Sequence, residues 1–137
     1  MEDEFSVVPV GRVLSPVTRV EDAVRQGDEG APACTIELRP DVAAAAADLR
    51  EGDALVVLTW LHEADRGTLA VHPRDDAGRP LTGVFSTRSS DRPNPIGLHA
   101  VRVLEVGPGR LRVDGLEAID GTPVLDIKPD LGPLPTR

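Results

Sequence analysis

Between Cys34 and Arg39 apolar and polar side chains alternate with a period of two, the pattern of a strand with one buried and one wetted face. Pro40 ends it. Phe5 to Leu14 is rich in valine and bounded by Ser15-Pro16, which predicts another strand. Ala54 to Leu61 is almost continuously apolar over strand length, the pattern of a strand buried on both faces. Further strands are predicted at Thr68 to His72, Val84-Phe85, Ile96 to Val106, Arg110 to Leu116 and Val124 to Ile127, with Gly107-Pro108-Gly109 as a hairpin turn. Residues 15 to 33 read as a polar loop marked by glycine and proline. One helical pattern stands out: Asp41, Val42, five alanines and Leu49, closed by Gly52, predict a short helix over about residues 41–50. Many short strands and one helix predict an all-β protein, a mainly antiparallel β-barrel of about seven strands with one short helix.

Composition narrows the picture. With 137 residues the chain is expected to form a single domain, residues 129–137 making an extended proline-bearing tail. The core must be built from Val, Leu, Ile and Ala, because there is no Tyr and only two Phe and Trp60. So few aromatics also argue against base-stacking platforms. A formal charge of −8 opposes generic, charge-driven attachment to nucleic acid or anionic membrane. A nucleic-acid partner must therefore meet a local basic patch, and Arg88, Arg92 and Arg102 against Asp91 supply one. The single Cys34 excludes an internal disulfide. The three histidines, His62, His72 and His99, lack metal-ligand spacing, so no metal is expected. The acidic opening MEDE and the lack of a long apolar run predict no signal peptide, no membrane span and a cytoplasmic location.

Candidate chemistry gathers in two stretches. In Arg88-Ser89-Ser90-Asp91-Arg92-Pro93-Asn94-Pro95-Ile96-Gly97, two prolines fix their own φ and hold Arg92 and Asn94 extended. Such a stretch is either a stiff strand connection or a rigid display of polar groups; Arg88 and Arg92 each offer a planar fork for a carboxylate or phosphate. In the second, Asp120-Gly121-Thr122-Pro123-Val124-Leu125-Asp126-Ile127-Lys128-Pro129, a turn runs into a strand on which Asp126 and Lys128 share a face. These two form either a surface ion pair or an element that orients a polar substrate. His62-Glu63 closes the apolar strand and suits a functional or a capping role. No GxGxxG, P-loop or GxSxG is present, which removes Rossmann, nucleotide-triphosphate and serine-hydrolase readings.

Taken together, Gly83-Val84-Phe85-Ser86-Thr87-Arg88-Ser89, Arg92-Pro93-Asn94-Pro95-Ile96-Gly97-Leu98 and Asp120 to Pro129 resemble the signature of TsaA-like (TrmO) proteins. Supporting matches lie at Gly11 to Pro16, Arg25-Gln26-Gly27 and Trp60-Leu61-His62. The resemblance implies a dimeric β-barrel methyltransferase that holds S-adenosylmethionine near the subunit interface and N6-methylates threonylcarbamoyladenosine at position 37 of tRNA. Matched position by position, the cofactor site draws on Gln26, Gly27, Asp28, Glu29, His62, Glu63, Arg88, Leu98, Asp120, Gly121 and Thr122. Arg92, Asn94, Asp126 and Lys128 line the acceptor side, with Asp126 the candidate to accept a proton and Lys128 to orient it. Two other readings remain open: the same cofactor with a small-metabolite acceptor, and a non-catalytic S-adenosylmethionine-binding barrel.

Overall fold

The structure, a computed structural model, describes residues 3–16 and 33–133. Among these residues eight strands run in the order β1 (Gly11–Leu14), β2 (Cys34–Leu38), β3 (Ala54–Trp60), β4 (Ala70–Val71), β5 (Thr82–Gly83), β6 (Ile96–Gly107), β7 (Arg110–Asp114) and β8 (Pro123–Pro129). Six close an antiparallel barrel in the order β1-β2-β7-β6-β3-β8, while β4 and β5 pair as a separate hairpin sheet. Closure removes the unpaired edges that an open sheet of this size would expose. The all-β barrel expected from the alternating pattern is therefore present.

Alternation decides which side chains fill the barrel. Val13, Ile36, Leu55, Val57, Val103, Leu111, Val113 and Val124 point inward and are buried, joined by Leu116 from the connection after β7. Each contributes about 1.5–3 kcal/mol of apolar burial. On β3 the alternation is complete: Leu55, Val57 and Thr59 are buried, while Ala54, Val56, Leu58 and Trp60 are partly exposed. This corrects the expectation of a strand buried on both faces. A closed barrel has one interior, and the outer apolar residues of β3 stay partly exposed.

Three further expectations are corrected. The predicted helix over 41–50 is a 3-10 turn, Ala43–Ala46, with Ala45 N–H donating to Val42 O at 3.0 Å and Ala47 N–H to Ala44 O at 3.1 Å. Only Ala43, Ala46 and Leu49 pack on the core, and that spacing of three is the 3-10 period. A segment this short is marginal as an α-helix in water, so packing sets its pitch. Asp41 is drawn into an ion pair with Arg39. Val84-Phe85, predicted as strand, forms a 3-10 turn over Val84–Ser86, closed by Thr87 N–H donating to Val84 O at 3.0 Å. The first strand begins only at Gly11, and Phe5, Val7 and Val8 are exposed. Among the described residues no helix is long and apolar enough to cross a membrane.

Candidate functional site

Strand direction sorts the connections between the two ends of the barrel. Because neighbours are antiparallel throughout, the β1–β2, β3–β6 and β7–β8 connections leave one end, and the β2–β3 and β6–β7 connections leave the other. His62, Glu63, Arg88, Arg92, Asn94, Asp120, Gly121 and Thr122 therefore share one rim. Gln26, Gly27, Asp28 and Glu29 belong to the β1–β2 connection and lie outside the described residues.

The proline-bracketed loop is tied down along its length. Pro95 is fully buried, and its carbonyl accepts from Leu61 N–H at 2.8 Å. Arg92 N–H donates to Asp65 O at 3.0 Å, and the Asp91 carboxylate accepts from Asp65 N–H at 2.8 Å. One amino group of Arg92 donates to Thr87 O at 3.0 Å and Ser89 O at 3.1 Å, so this arginine folds the loop onto itself. Arg88 is exposed and makes no hydrogen bond or ion pair among the described residues. Just before it, Leu69, Gly83, Val84, Phe85 and Ser86 line a mostly apolar cleft of about 290 Å³.

Two pairings, one outside the barrel and one inside it, were not singled out by the sequence. Outside, the Arg66 guanidinium lies 5.1 Å from the centre of the Trp60 ring and donates from Nε to Pro93 O at 2.8 Å and from Nη2 to Asn94 Oδ1 at 3.0 Å. Inside, Thr59 Oγ1 and His99 Nε2 are 2.8 Å apart across β3 and β6. Burial depresses the His99 pKa from 6.5 to about 4, so the ring is neutral at physiological pH. Gly97 lies between them: a Cβ there would stand 2.4 Å from Thr59 Oγ1 and 2.7 Å from His99 Nε2. A period-two count marks position 99 as inward-facing. Nothing in one sequence marks Thr59 as its partner, since their contact spans two strands.

The remaining candidates divide by position. Asp120 Oδ1 accepts from Ser15 N–H at 2.9 Å, Gly121 N–H donates to Val13 O at 2.7 Å, and Arg12 donates to Gly121 O at 3.2 Å. Gly121 has φ +84, a conformation that favours glycine, in the turn the Asp-Gly pair predicts. Thr122 is buried, and its hydroxyl donates to Ile119 O at 2.7 Å, so the hydroxyl braces the rim from within. Asp126 and Lys128 lie on the outer surface of β8, joined at 2.9 Å; the other Asp126 oxygen accepts from Ile127 N–H at 2.9 Å. Register places Asp126 beside Leu58, and Leu58 beside Leu98, so Leu98 and the ion pair share the outer face of β8, β3 and β6.

A family model described as the tRNA-methyltransferase O N-terminal domain matches residues 12–132. A probable S-adenosyl-L-methionine-binding protein of Methanothermobacter thermautotrophicus is 45% identical over 126 residues, 92% of this chain and 90% of its own length. The probable S-adenosyl-L-methionine-binding protein VirR of Rhizobium radiobacter is 40% identical over 129 residues, 94% of this chain and 73% of its own length. The crystal structure of TrmO from Pseudomonas aeruginosa superposes with a TM-score of 0.73 at 35% identity, covering 93% of this chain. The chain spans only 56% of that solved chain.

Proposed function

This chain belongs to the tRNA-methyltransferase O N-terminal domain family, and from that premise we propose that it is an S-adenosylmethionine-dependent methyltransferase that N6-methylates threonylcarbamoyladenosine at position 37 of tRNA. The observation that carries the reading is the convergence of the described loop candidates on one rim of a barrel that matches the family over 12–132. Residues 1–137 form, in this reading, a single cytoplasmic domain.

The residues present fit the cofactor. Arg88, whose guanidinium has no partner among the described residues, is the candidate for the carboxylate of its amino-acid end, and the lining of the apolar cleft ends at Ser86, two positions before it in the chain. Bound there, the sulfonium supplies an activated methyl group. The chain's own work is alignment and exclusion of water, which lower the barrier without covalent help from the protein. The Arg92-stapled loop gives Asn94 a fixed place on the acceptor side, and Asp126 Oδ2, oriented by Lys128, takes the proton released from the methylated nitrogen.

The cleft, about 290 Å³, lies at the lower end of the about 300–1,000 Å³ that ligand sites span. A second copy of the chain completes the site in this reading. The outer pairs Trp60/Ile96 and Leu58/Leu98 form an apolar surface next to the rim, and Ile96 and Leu98 are 46% and 49% exposed. A small-metabolite acceptor is the second reading, favoured by the charge of −8. Calorimetric binding of S-adenosylmethionine, followed by methyl transfer to tRNA or to a metabolite extract, tests both. Transfer only to the extract refutes the tRNA reading, and binding without transfer to either leaves a non-catalytic barrel.

A further inference from the structure

The edge of Arg66 that carries Nε and Nη2 is a two-donor fork, and both donors are taken, by Pro93 O and by Asn94 Oδ1. A guanidinium has no acceptor, so the atom of the Asn94 side chain facing it must be the oxygen. That settles the amide: the oxygen turns to Arg66, and the two N–H donors of Nδ2 point away, on a side chain that is exposed. Nδ2 donates to nothing among the described residues. Trp60 supports the other side of the arrangement, since its ring lies 5.1 Å from the guanidinium carbon and limits how the fork can tilt. The two prolines flanking Asn94 hold its backbone in place as well.

We propose that Arg66, stacked on Trp60, is a positioning residue that locks the Asn94 amide with its N–H donors outward, so that the rim selects a methyl acceptor presenting a carbonyl or carboxylate oxygen. The inference rests on the reading that the acceptor meets this rim, and it adds what the acceptor must offer there. Arg66 works through Asn94, because its fork is consumed by the loop. A point charge does not replace it: a lysine at position 66 keeps the charge but has no planar pair of donors to fix both oxygens at once.

The test compares Arg66→Ala, Arg66→Lys and Asn94→Asp with the wild-type protein for acceptor KM, kcat and S-adenosylmethionine affinity, after thermal melts establish that each variant folds. Asn94→Asp keeps an oxygen for the fork and removes both outward donors. It is expected to raise KM for threonylcarbamoyladenosine-containing tRNA about tenfold or more, with cofactor affinity unchanged. Arg66→Ala and Arg66→Lys are both expected to raise KM about tenfold, and Arg66→Ala is expected to add little to Asn94→Asp in the double variant. A KM within about twofold of wild type in Arg66→Ala, or full rescue by lysine, overturns the proposal. If the wild-type protein methylates no tRNA, the acceptor reading has failed instead. The positioning is then read from the Asn94 side-chain amide resonances of isotope-labelled protein, which are expected to be dispersed in wild type and to collapse toward free-amide positions in Arg66→Ala; unchanged resonances overturn it.

Discussion

Thr59 Oγ1 and His99 Nε2 meet at 2.8 Å inside the barrel, directly beneath the rim where the candidate loops converge. Both side chains are buried, and the pair spans β3 and β6 at the end from which the loop bearing Arg92 and Asn94 departs. The neutral ring makes rim stability depend on pH. Its folded pKa of about 4 lies below 6.5, so the unfolded chain takes up the proton first. The contribution is complete above pH 6.5 and is lost as pH falls from there toward 4, amounting to about 3 kcal/mol. His99→Gln does not titrate in this window. Denaturant unfolding is expected to show the stability gap between wild type and variant shrinking by that amount from neutral pH to pH 4; a constant gap contradicts the assignment.

Gly97→Ala forces a methyl group against Thr59 Oγ1 and His99 Nε2, and a loss of about 1–3 kcal/mol is expected. Removing one of the two obstacles with Thr59→Ala should lower that cost in a double-mutant cycle. Strict additivity would show that the crowding lies elsewhere.

Asp126→Asn separates catalysis from stability. The Asp126–Lys128 pair is largely exposed, so its loss is expected to change unfolding free energy by no more than about 1 kcal/mol. Turnover should fall while cofactor still binds. Near-normal turnover in this variant removes the proton-accepting role.

The outer apolar face gives the proposed dimer its test. Light scattering is expected to report a dimer for wild type and a monomer for Ile96→Glu, whose charge would be buried between copies, with circular dichroism unchanged. A wild-type monomer in the presence and absence of S-adenosylmethionine counts against a shared site.

The barrel was legible because period-two alternation survives in β2, β6 and β7, and because Gly107-Pro108-Gly109 marks a hairpin without ambiguity. The alanine run misled because intrinsic helix preference lost to a packing face that repeats every third residue. The proline-bracketed loop was legible as rigid, since φ restriction is written in the residue type itself. Arg66 was not, because its meaning depends on Pro93 and Asn94, more than twenty-five positions away and brought near by the β3–β6 connection. Arg92 carried the reverse lesson: a candidate ligand-binding fork spends one of its amino groups on Thr87 O and Ser89 O.

The most direct test of the central claim is nucleoside mass analysis of tRNA that carries unmethylated threonylcarbamoyladenosine, incubated with the purified protein and S-adenosylmethionine. Conversion of that nucleoside to a species heavier by one methyl group, with S-adenosylhomocysteine formed in equal amount, is the expected result. An unchanged nucleoside, in a reaction where calorimetry shows the cofactor bound, contradicts the account.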